Sequence, residues 1–386
     1  MRIVFLCVDV PWTFTKASQW RHHQIIEALK ENHTVKVIAL SPKNIEEYKE
    51  KYQTDAEYIE CYMPTIKQTD YFRKSLILPH FPKPLKRDSL EEAIRNFAPD
   101  VVFYTSIGFF PYVKNLNVKK VFSVNKVLYM YYQRLALVEN WFNGFFLKKR
   151  CYSIGAWERR AFMESDMILF SVINDMANVN SNMQLLTPSY YLPAYIDKVD
   201  FGPLCQKKNI IVYGNYNSIA GKIMIKDFLD NIHPTLKKRY PDYKVYVVGL
   251  GSQNFSADNN IETSTILTEE ILKDARALFL PYRVRTDMQF PAIKAMSFGV
   301  PIIGYDKTMD FFAVKRKDEY CISAKGRNEL ISKLCSAFDS DPLLEKVREK
   351  AFNYVKEHYT KELFDKTLAD SLDKLQDKVT YIKRRS

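Results

Sequence analysis

Side chains that can bind ligands or transfer protons follow the first apolar segment of the chain. Residues 3–8, Ile-Val-Phe-Leu-Cys-Val, form a continuous apolar run. The polar and aromatic residues at or after its end are Asp9, Trp12, Ser18, Arg21 and His22. A carboxylate or an imidazole can act as a general base, so Asp9 and His22 are the candidates for proton transfer. Two alternatives stay open: His22-His23 also fits a surface pair at a helix start, and Trp12 also fits a core position.

A second group of candidate residues follows two later apolar runs. Residues 210–213 lead into the turn Gly214–Ser218, whose backbone N–H groups can bind an anion at the start of a helix. Open α/β sheets bind ligands at the carboxyl ends of their strands, and this favours binding over a solvated loop for the cations that follow Leu280. The polar and basic groups best placed at such an edge are Asn215, Lys222, Arg283 and Arg285.

The composition narrows the classes of partner. The chain has 386 residues with 57 Lys and Arg against 45 Asp and Glu, a formal net charge of +12. This balance favours anionic partners such as a sugar nucleotide, an acidic glycan or anionic lipid. Nucleic acid ranks last because no recognition motif accompanies the charge. With only 11 Gly, the chain cannot hold several glycine-rich phosphate loops.

The cysteines and the apolar segments predict a cytoplasmic protein. The six cysteines show neither a C-x-x-C pair nor metal-ligand spacing, which is typical of a reducing compartment. The N-terminus has no signal-type segment. No apolar run approaches the ~18 residues of a membrane span. We therefore expect a soluble or peripheral protein, with no metal site.

The order of apolar runs predicts two consecutive α/β domains. Strands are expected at 3–8, 35–40, 101–104, 121–124 and 167–171, and again at 210–213, 245–248, 277–280 and 300–304. Helical periodicity lies between many of these runs, as in right-handed βαβ units. The polar segment Gly202–Lys208 contains Pro203 and suits a linker. The predicted domains are 1–203 and 204–360, with a terminal helix at about 361–386 that can pack back on the first.

The motif order resembles that of the glycosyltransferase family 4 (group 1) superfamily. The residues that carry the resemblance are His33-Thr34-Val35, Glu158, Asp166, Ser171, Leu192–Asp197, Gly214-Asn215-Tyr216, Val247–Gly251 and, most specifically, Ala275–Ile303 with Lys-Ala-Met-Ser-Phe-Gly-Val-Pro-Ile-Ile. A more distant similarity is to exopolysaccharide glucuronosyltransferases. The resemblance implies an α/β protein of the GT-B class, with two Rossmann-like domains whose parallel sheets face a central cleft.

The resemblance also implies roles for particular residues. The second domain would bind the donor through Gly214, Asn215, Lys222, Gly249, Arg283, Arg285, Asp287 and Lys294. The first would hold the acceptor through Trp12, Ser18 and Arg21, with Asp9 or His22 as base if the reaction inverts. A retaining enzyme needs no such base. The family's carboxylate pair is replaced by Thr286 and Lys294, and its His-Asp by Asn125-Lys126, so donor recognition must differ from the usual pattern.

The expected function is transfer of a sugar from a nucleotide sugar to a glycan or lipid-linked acceptor in surface polysaccharide biosynthesis. The resemblance implies a metal-independent enzyme of hexosyltransferase type, with no cofactor and a UDP-linked donor. The alternative is a catalytically inactive GT-B homologue that binds a glycan or a partner. Residues 128–157 are dense in aromatic side chains, which lie beside the basic run Lys148-Lys149-Arg150. This pattern suits peripheral contact with anionic lipid at the inner face of the plasma membrane, or else a helix buried in its own domain.

Overall fold

The chain forms two compact α/β units. The computed structural model describes residues 1–8, 10–14, 16–41, 46, 49–50, 55–62, 81–255, 258–285, 290–312 and 317–383. The first unit comprises Met1–Thr13, Ser18–Ala194 and Phe364–Ser386, and the second comprises Phe14–Ala17 and Tyr195–Leu363. The main division, after Ala194, lies nine residues before the boundary that the sequence predicts at 203/204.

The first unit is built on an eight-stranded sheet. Its strands are β1 Arg2–Cys7, β2 Thr34–Ser41, β3 Glu57–Tyr62, β4 Lys83–Pro84, β5 Val101–Tyr104, β6 Lys119–Val124, β7 Met167–Phe170 and β8 Ser189–Tyr191. The order across the sheet is β4-β3-β2-β1-β5-β6-β7-β8, and every pair is parallel except β3–β4. The central strands are buried on both faces, which explains why they are continuous apolar runs.

Helices surround this sheet and position its loops. They are α1 Ala17–Lys30, α2 Arg87–Phe97, α3 Phe110–Val113, α4 Leu128–Leu135, α5 Trp141–Met163, α6 Ile173–Met183 and α13 Lys361–Lys383. The buried carboxyl group of Glu158 accepts the N–H groups of Leu128 and Tyr129 at 2.7 and 2.8 Å and so caps the N-terminus of α4. Burial raises the pKa of Glu158 to about 8.

The terminal helix α13 completes the first unit. Its apolar side chains Phe364, Leu368, Leu372 and Leu375 recur at helical spacing and are all buried. Near its end, the Gln376 amide donates to the Met1 sulfur at 3.1 Å. The helix bounds lie within the range of about 361–386 that the sequence predicts for the terminal helix. None of the helices in the described part of the chain is long and apolar enough to cross a membrane.

The second unit is built on a six-stranded parallel sheet. Its strands are β9 Ile210–Tyr213, β10 Val245–Val248, β11 Ile261–Ser264, β12 Ala277–Leu280, β13 Ile302–Tyr305 and β14 Ile322–Ala324. Its helices are α7 Ile219–Asp227, α8 His233–Arg239, α9 Glu269–Lys273, α10 Phe290–Ser297, α11 Arg327–Asp339 and α12 Asp341–His358. The strand order is β11-β10-β9-β12-β13-β14. If the six strands are numbered 1 to 6 from β9 to β14, this order is 3-2-1-4-5-6, the strand order of dinucleotide-binding folds.

Candidate functional site

The strand order of the second unit locates its ligand-binding edge. From β9 the chain first builds outward through β10 and β11, and then returns to place β12 on the other side of β9. Ligands of doubly wound sheets bind beyond the carboxyl ends of the strands at such a reversal. In this sheet the reversal lies between β9 and β12. The segments that follow these strands and β10 are therefore the candidate donor site.

The turn after β9 is held by backbone contacts with the neighbouring loop. The Gly214 N–H donates to the Val248 carbonyl at 3.0 Å, and the Tyr216 N–H donates to Leu250 at 2.9 Å. Gly249 has a φ of +122°, and a Cβ on it would overlap the Gly214 carbonyl oxygen. Only glycine fits there without strain. The structure thus brings together Gly214 and Gly249, two residues that the sequence assigns to the donor site.

Helix α7 begins with its own cap. The Ser218 hydroxyl accepts the Gly221 N–H at 3.0 Å and donates to the Asn215 carbonyl at 2.7 Å. The Asn215 side chain accepts the Asn217 N–H at 3.2 Å, so this residue shapes the turn. Lys222 is exposed in the first turn of the helix. Among the predicted donor residues of this segment, Lys222 is therefore the one that carries a charge accessible to solvent or to a ligand.

Two arginines share one buried carboxylate at the carboxyl edge. Arg283, just after β12, approaches Asp227 at 3.1 Å, and Arg327, at the start of α11, also pairs with Asp227. The arginine side chains are 39% and 36% exposed, whereas Asp227 is 7% exposed. The cluster carries two positive charges against one negative. It therefore presents a surplus of guanidinium donors to solvent, in a geometry suited to phosphate or carboxylate.

A buried hydroxyl lies in the same cluster. Tyr305, the last residue of β13, is 6% exposed, and its buried hydroxyl lies beside the Arg283 guanidinium. Burial, and then the negative charge of Asp227, raise the pKa of Tyr305. Sequence reasoning missed Arg327, Asp227 and Tyr305. Arg327 begins α11 three residues after the end of β14, and that strand is too short to be recognised from the sequence.

Two other predicted donor residues are engaged within the unit. Arg285 is 3% exposed and donates to the Asp310 carbonyl at 3.0 Å, so its observed role is to hold the segment after β13. Lys294 on α10 donates to the Leu267 carbonyl at 3.0 Å, and burial lowers its pKa. The burial of Arg285 does not match the solvated loop considered from the sequence, and Lys294 is not a freely solvated lysine either. Asp287 and Thr286 lie outside the described residues.

In the first unit, Arg21 is a buried structural residue. Its guanidinium is 1% exposed and donates to the Leu192 carbonyl at 2.6 Å, Ser123 Oγ at 2.8 Å, Asn125 Oδ1 at 3.0 Å and the Leu169 carbonyl at 3.1 Å. Burial lowers its pKa to about 9. These bonds tie α1 to the carboxyl ends of β6, β7 and β8. Contact of Arg21 with an acceptor stays a prediction that these bonds disfavour.

His22 also lies inside the first unit. It is 6% exposed, and its Nε2 contacts the Asn125 side-chain amide. Burial, and then the positive charge of Arg21, lower the pKa of His22 to about 3. The ring is therefore neutral at pH 7 and a weak base, and its environment does not match the surface pair considered from the sequence. Its catalytic role stays a prediction.

The remaining predicted residues of the first unit lie around the start of α1. Trp12 and Ser18 are half-buried at the carboxyl end of β1, and the Asp9 candidate lies outside the described residues. The predicted acceptor role of Trp12 and Ser18 stays a prediction. Within the described ranges, no group of three or more His, Cys, Asp or Glu side chains is arranged to hold a metal ion. The metal independence of the reaction likewise stays a prediction.

The two α/β units have the GT-B fold. The chain is similar to sucrose-phosphate synthase from Thermosynechococcus elongatus, with a TM-score of 0.71, 12% identity, and coverage of 97% of this chain and 99% of the other. It is also similar to Anabaena HepE in complex with UDP-glucose, with a TM-score of 0.67, 9% identity, and coverage of 97% of this chain and 100% of the other. A third similar structure is the pneumococcal O-GlcNAc transferase GtfA in complex with UDP and GlcNAc, with a TM-score of 0.66, 10% identity, and coverage of 97% and 99%. No protein-family model and no curated protein matches the sequence. The predicted GT-B fold is confirmed.

Proposed function

We propose that this protein is a glycosyltransferase that moves a sugar from a nucleotide sugar to a glycan or lipid-linked acceptor. The observation that carries the proposal is the partly exposed arginine pair, Arg283 and Arg327, at the carboxyl edge of a sheet with nucleotide-binding strand order. Similar structures that hold UDP-glucose, or UDP with GlcNAc, support the same class of donor. The finer proposal is a UDP-linked donor and a hexosyl group, used in surface polysaccharide biosynthesis.

The arginine pair would meet the charge of the leaving diphosphate. When the sugar departs, negative charge grows on the diphosphate, and donors already in place stabilise it. Arg283 and Arg327 are held by Asp227 before any ligand arrives, so little side-chain ordering is left to be done on binding. Lys222 adds a third exposed cation to this edge. We propose that these groups act without a resident metal or cofactor.

The acceptor side of the proposal depends on the stereochemical course. A retaining reaction needs no protein base, because the leaving phosphate can take the acceptor proton. An inverting reaction needs one, and the low pKa of His22 leaves Asp9 as the better candidate. We place the reaction in the cytoplasm, at the inner face of the plasma membrane where a lipid-linked acceptor would lie.

A binding experiment tests the donor site directly. Isothermal calorimetry with UDP and GDP, and a thermal-shift screen of UDP-sugars, should show binding of one nucleotide class and a rise in melting temperature. The double substitution Arg283→Gln and Arg327→Gln should weaken nucleoside diphosphate binding by about 100-fold, at roughly 1.5 kcal/mol for each charged hydrogen bond lost. Lys346→Gln removes an exposed cation of α12 and is the matched control. No heat with any nucleotide would refute the proposal.

A second candidate function is a GT-B homologue that binds but does not catalyse. The half-buried Lys294 favours it, because the resemblance places a carboxylate that contacts the donor ribose at that position. Asn125 and Lys126 replace the His-Asp of the resemblance in the same way. Nucleotide binding without transfer to any acceptor, and without donor hydrolysis, would support this second candidate.

A further inference from the structure

Helix α5 carries large aromatic side chains that the fold leaves in solvent. Trp141 is 85% exposed, Tyr152 is 79% exposed and Phe145 is 43% exposed. They are spaced by four and seven residues, so they lie on one face of the helix. Leu137, in the turn before the helix, is 72% exposed. We call Trp141, Phe145 and Tyr152 the aromatic face.

The charges on α5 are strongly unbalanced. The helix contains five basic residues, Lys148, Lys149, Arg150, Arg159 and Arg160, and one acidic residue, Glu158. Glu158 is fully buried, so its carboxylate does not neutralise the outer surface. Lys148 and Lys149 are exposed between Phe145 and Tyr152. The Lys149 ammonium lies 5.7 Å from the centre of the Phe145 ring, so the cation and the aromatic group occupy one surface.

This combination selects an anionic bilayer over a second copy of the chain. Tryptophan and tyrosine favour the lipid–water interface, where the ring is buried and its polar atom stays hydrated. Lysines beside them can reach anionic headgroups while their methylene stems lie on apolar surface. In a symmetric dimer through the same face, Lys148 and Lys149 would meet their own copies, and the like charges would repel.

We propose that the aromatic face of α5, flanked by Lys148 and Lys149, docks the protein on an anionic membrane surface. The helix lies in the interface and does not span the bilayer, because buried residues such as Leu147 and Ile154 face the protein. The inference goes beyond glycosyl transfer: it depends on the exposed surface of α5 and on no residue of the donor site.

Vesicle co-sedimentation of the full chain tests the proposal. The probes are vesicles of phosphatidylcholine alone and of phosphatidylcholine mixed with phosphatidylglycerol. The wild type should bind the anionic vesicles and release with added salt. Lys148→Gln with Lys149→Gln should lower that partitioning about 25-fold, because each basic residue near an anionic surface contributes about fivefold. Trp141→Ser with Phe145→Ser should lower it on the order of tenfold or more.

Matched controls separate this surface from general charge and hydrophobicity. Leu186 is 96% exposed elsewhere in the first unit, so Leu186→Ser controls for the loss of an exposed apolar side chain. Lys238→Gln with Lys346→Gln removes two exposed lysines of the second unit, and both controls should bind like the wild type. The proposal would be overturned if the wild-type protein did not bind the anionic vesicles. It would also be overturned by a concentration-dependent dimer, seen by light scattering, that the aromatic variant abolishes.

Discussion

Replacement of Gly249 by alanine should selectively damage the second unit. The residue has a φ of +122°, where an L side chain is strained by about 1–3 kcal/mol. A Cβ would also lie 3.1 Å from the Gly214 carbonyl carbon, and closer still to its oxygen. Backbone cannot rotate away as a side chain can, and overpacking of this kind costs about 1–3 kcal/mol. Together these effects should lower the free energy of unfolding of this unit by about 4 kcal/mol.

The position of the tryptophans makes the effect measurable unit by unit. All four, Trp12, Trp20, Trp141 and Trp157, belong to the first unit. Their fluorescence should therefore report unfolding of that unit and change little in Gly249→Ala. Calorimetry, or hydrogen exchange followed on peptides of β9 and β10, should show the transition of the second unit about 8–16 °C lower.

Gly202 provides the matched control for this substitution. A Cβ on Gly202 meets nothing within 4 Å, and its φ is not positive. Gly202→Ala should change the melting temperature by at most a degree or two, in the stabilising direction if at all. The reasoning would be refuted if Gly249→Ala melted like the wild type, or if Gly202→Ala cost as much as Gly249→Ala.

Three further substitutions test buried charges. Asp227→Asn leaves two arginines without their carboxylate. After a discount for the exposure of the arginines, it should lower the free energy of unfolding, measured in urea, by about 1–3 kcal/mol. Asp230→Asn removes a carboxylate from an exposed ion pair on the same helical segment and should cost almost nothing. Glu158 has its pKa raised to about 8, so its contribution to stability is present below pH 4.5 and is lost as pH rises through 8. Glu158→Gln should therefore flatten the pH dependence of the urea midpoint between these two pH values, with unfolding followed by tryptophan fluorescence. His22 has its pKa lowered to about 3, so its contribution is present above pH 6.5 and is lost as pH falls through 3; His22→Gln should make the first unit less acid-sensitive, and an unchanged acid midpoint would contradict the buried neutral ring.

The central strands could be predicted from the sequence because burial on both faces leaves no room for polar residues. Residues 101–104, 210–213, 245–248 and 277–280 are strands within the same bounds in the structure. The edge strands were missed. β11 reads Ile-Glu-Thr-Ser and β14 has three residues, so neither has a run of apolar residues long enough to recognise. Helix α7 begins at Ile219, directly after the predicted turn Gly214–Ser218, because Ser218 provides its cap.

The candidate site was predicted in part, because sequence shows which residues follow a strand but not what they contact. Gly214 and Arg283 lie at the expected carboxyl edge. Arg21 and Arg285 also come after strands in the sequence, yet both are buried, and each donates to a backbone carbonyl of its own unit. Whether a cation is exposed depends on long-range packing. Arg327 belongs to the cluster because its guanidinium pairs with Asp227, a residue that lies a hundred positions earlier in the chain.

The shortage of glycine has a direct consequence for how a nucleoside diphosphate could be held. In a glycine-rich phosphate loop, backbone N–H groups point at the phosphates. In the turn after β9, the N–H groups of Gly214, Tyr216, Asn217, Ser218 and Gly221 donate instead to protein acceptors, and so does that of Gly249. These hydrogen bonds stabilise the turn and the neighbouring loop themselves. We therefore expect side chains to meet much of the charge of a bound diphosphate, and the pair held by Asp227 is the described group best arranged to do so.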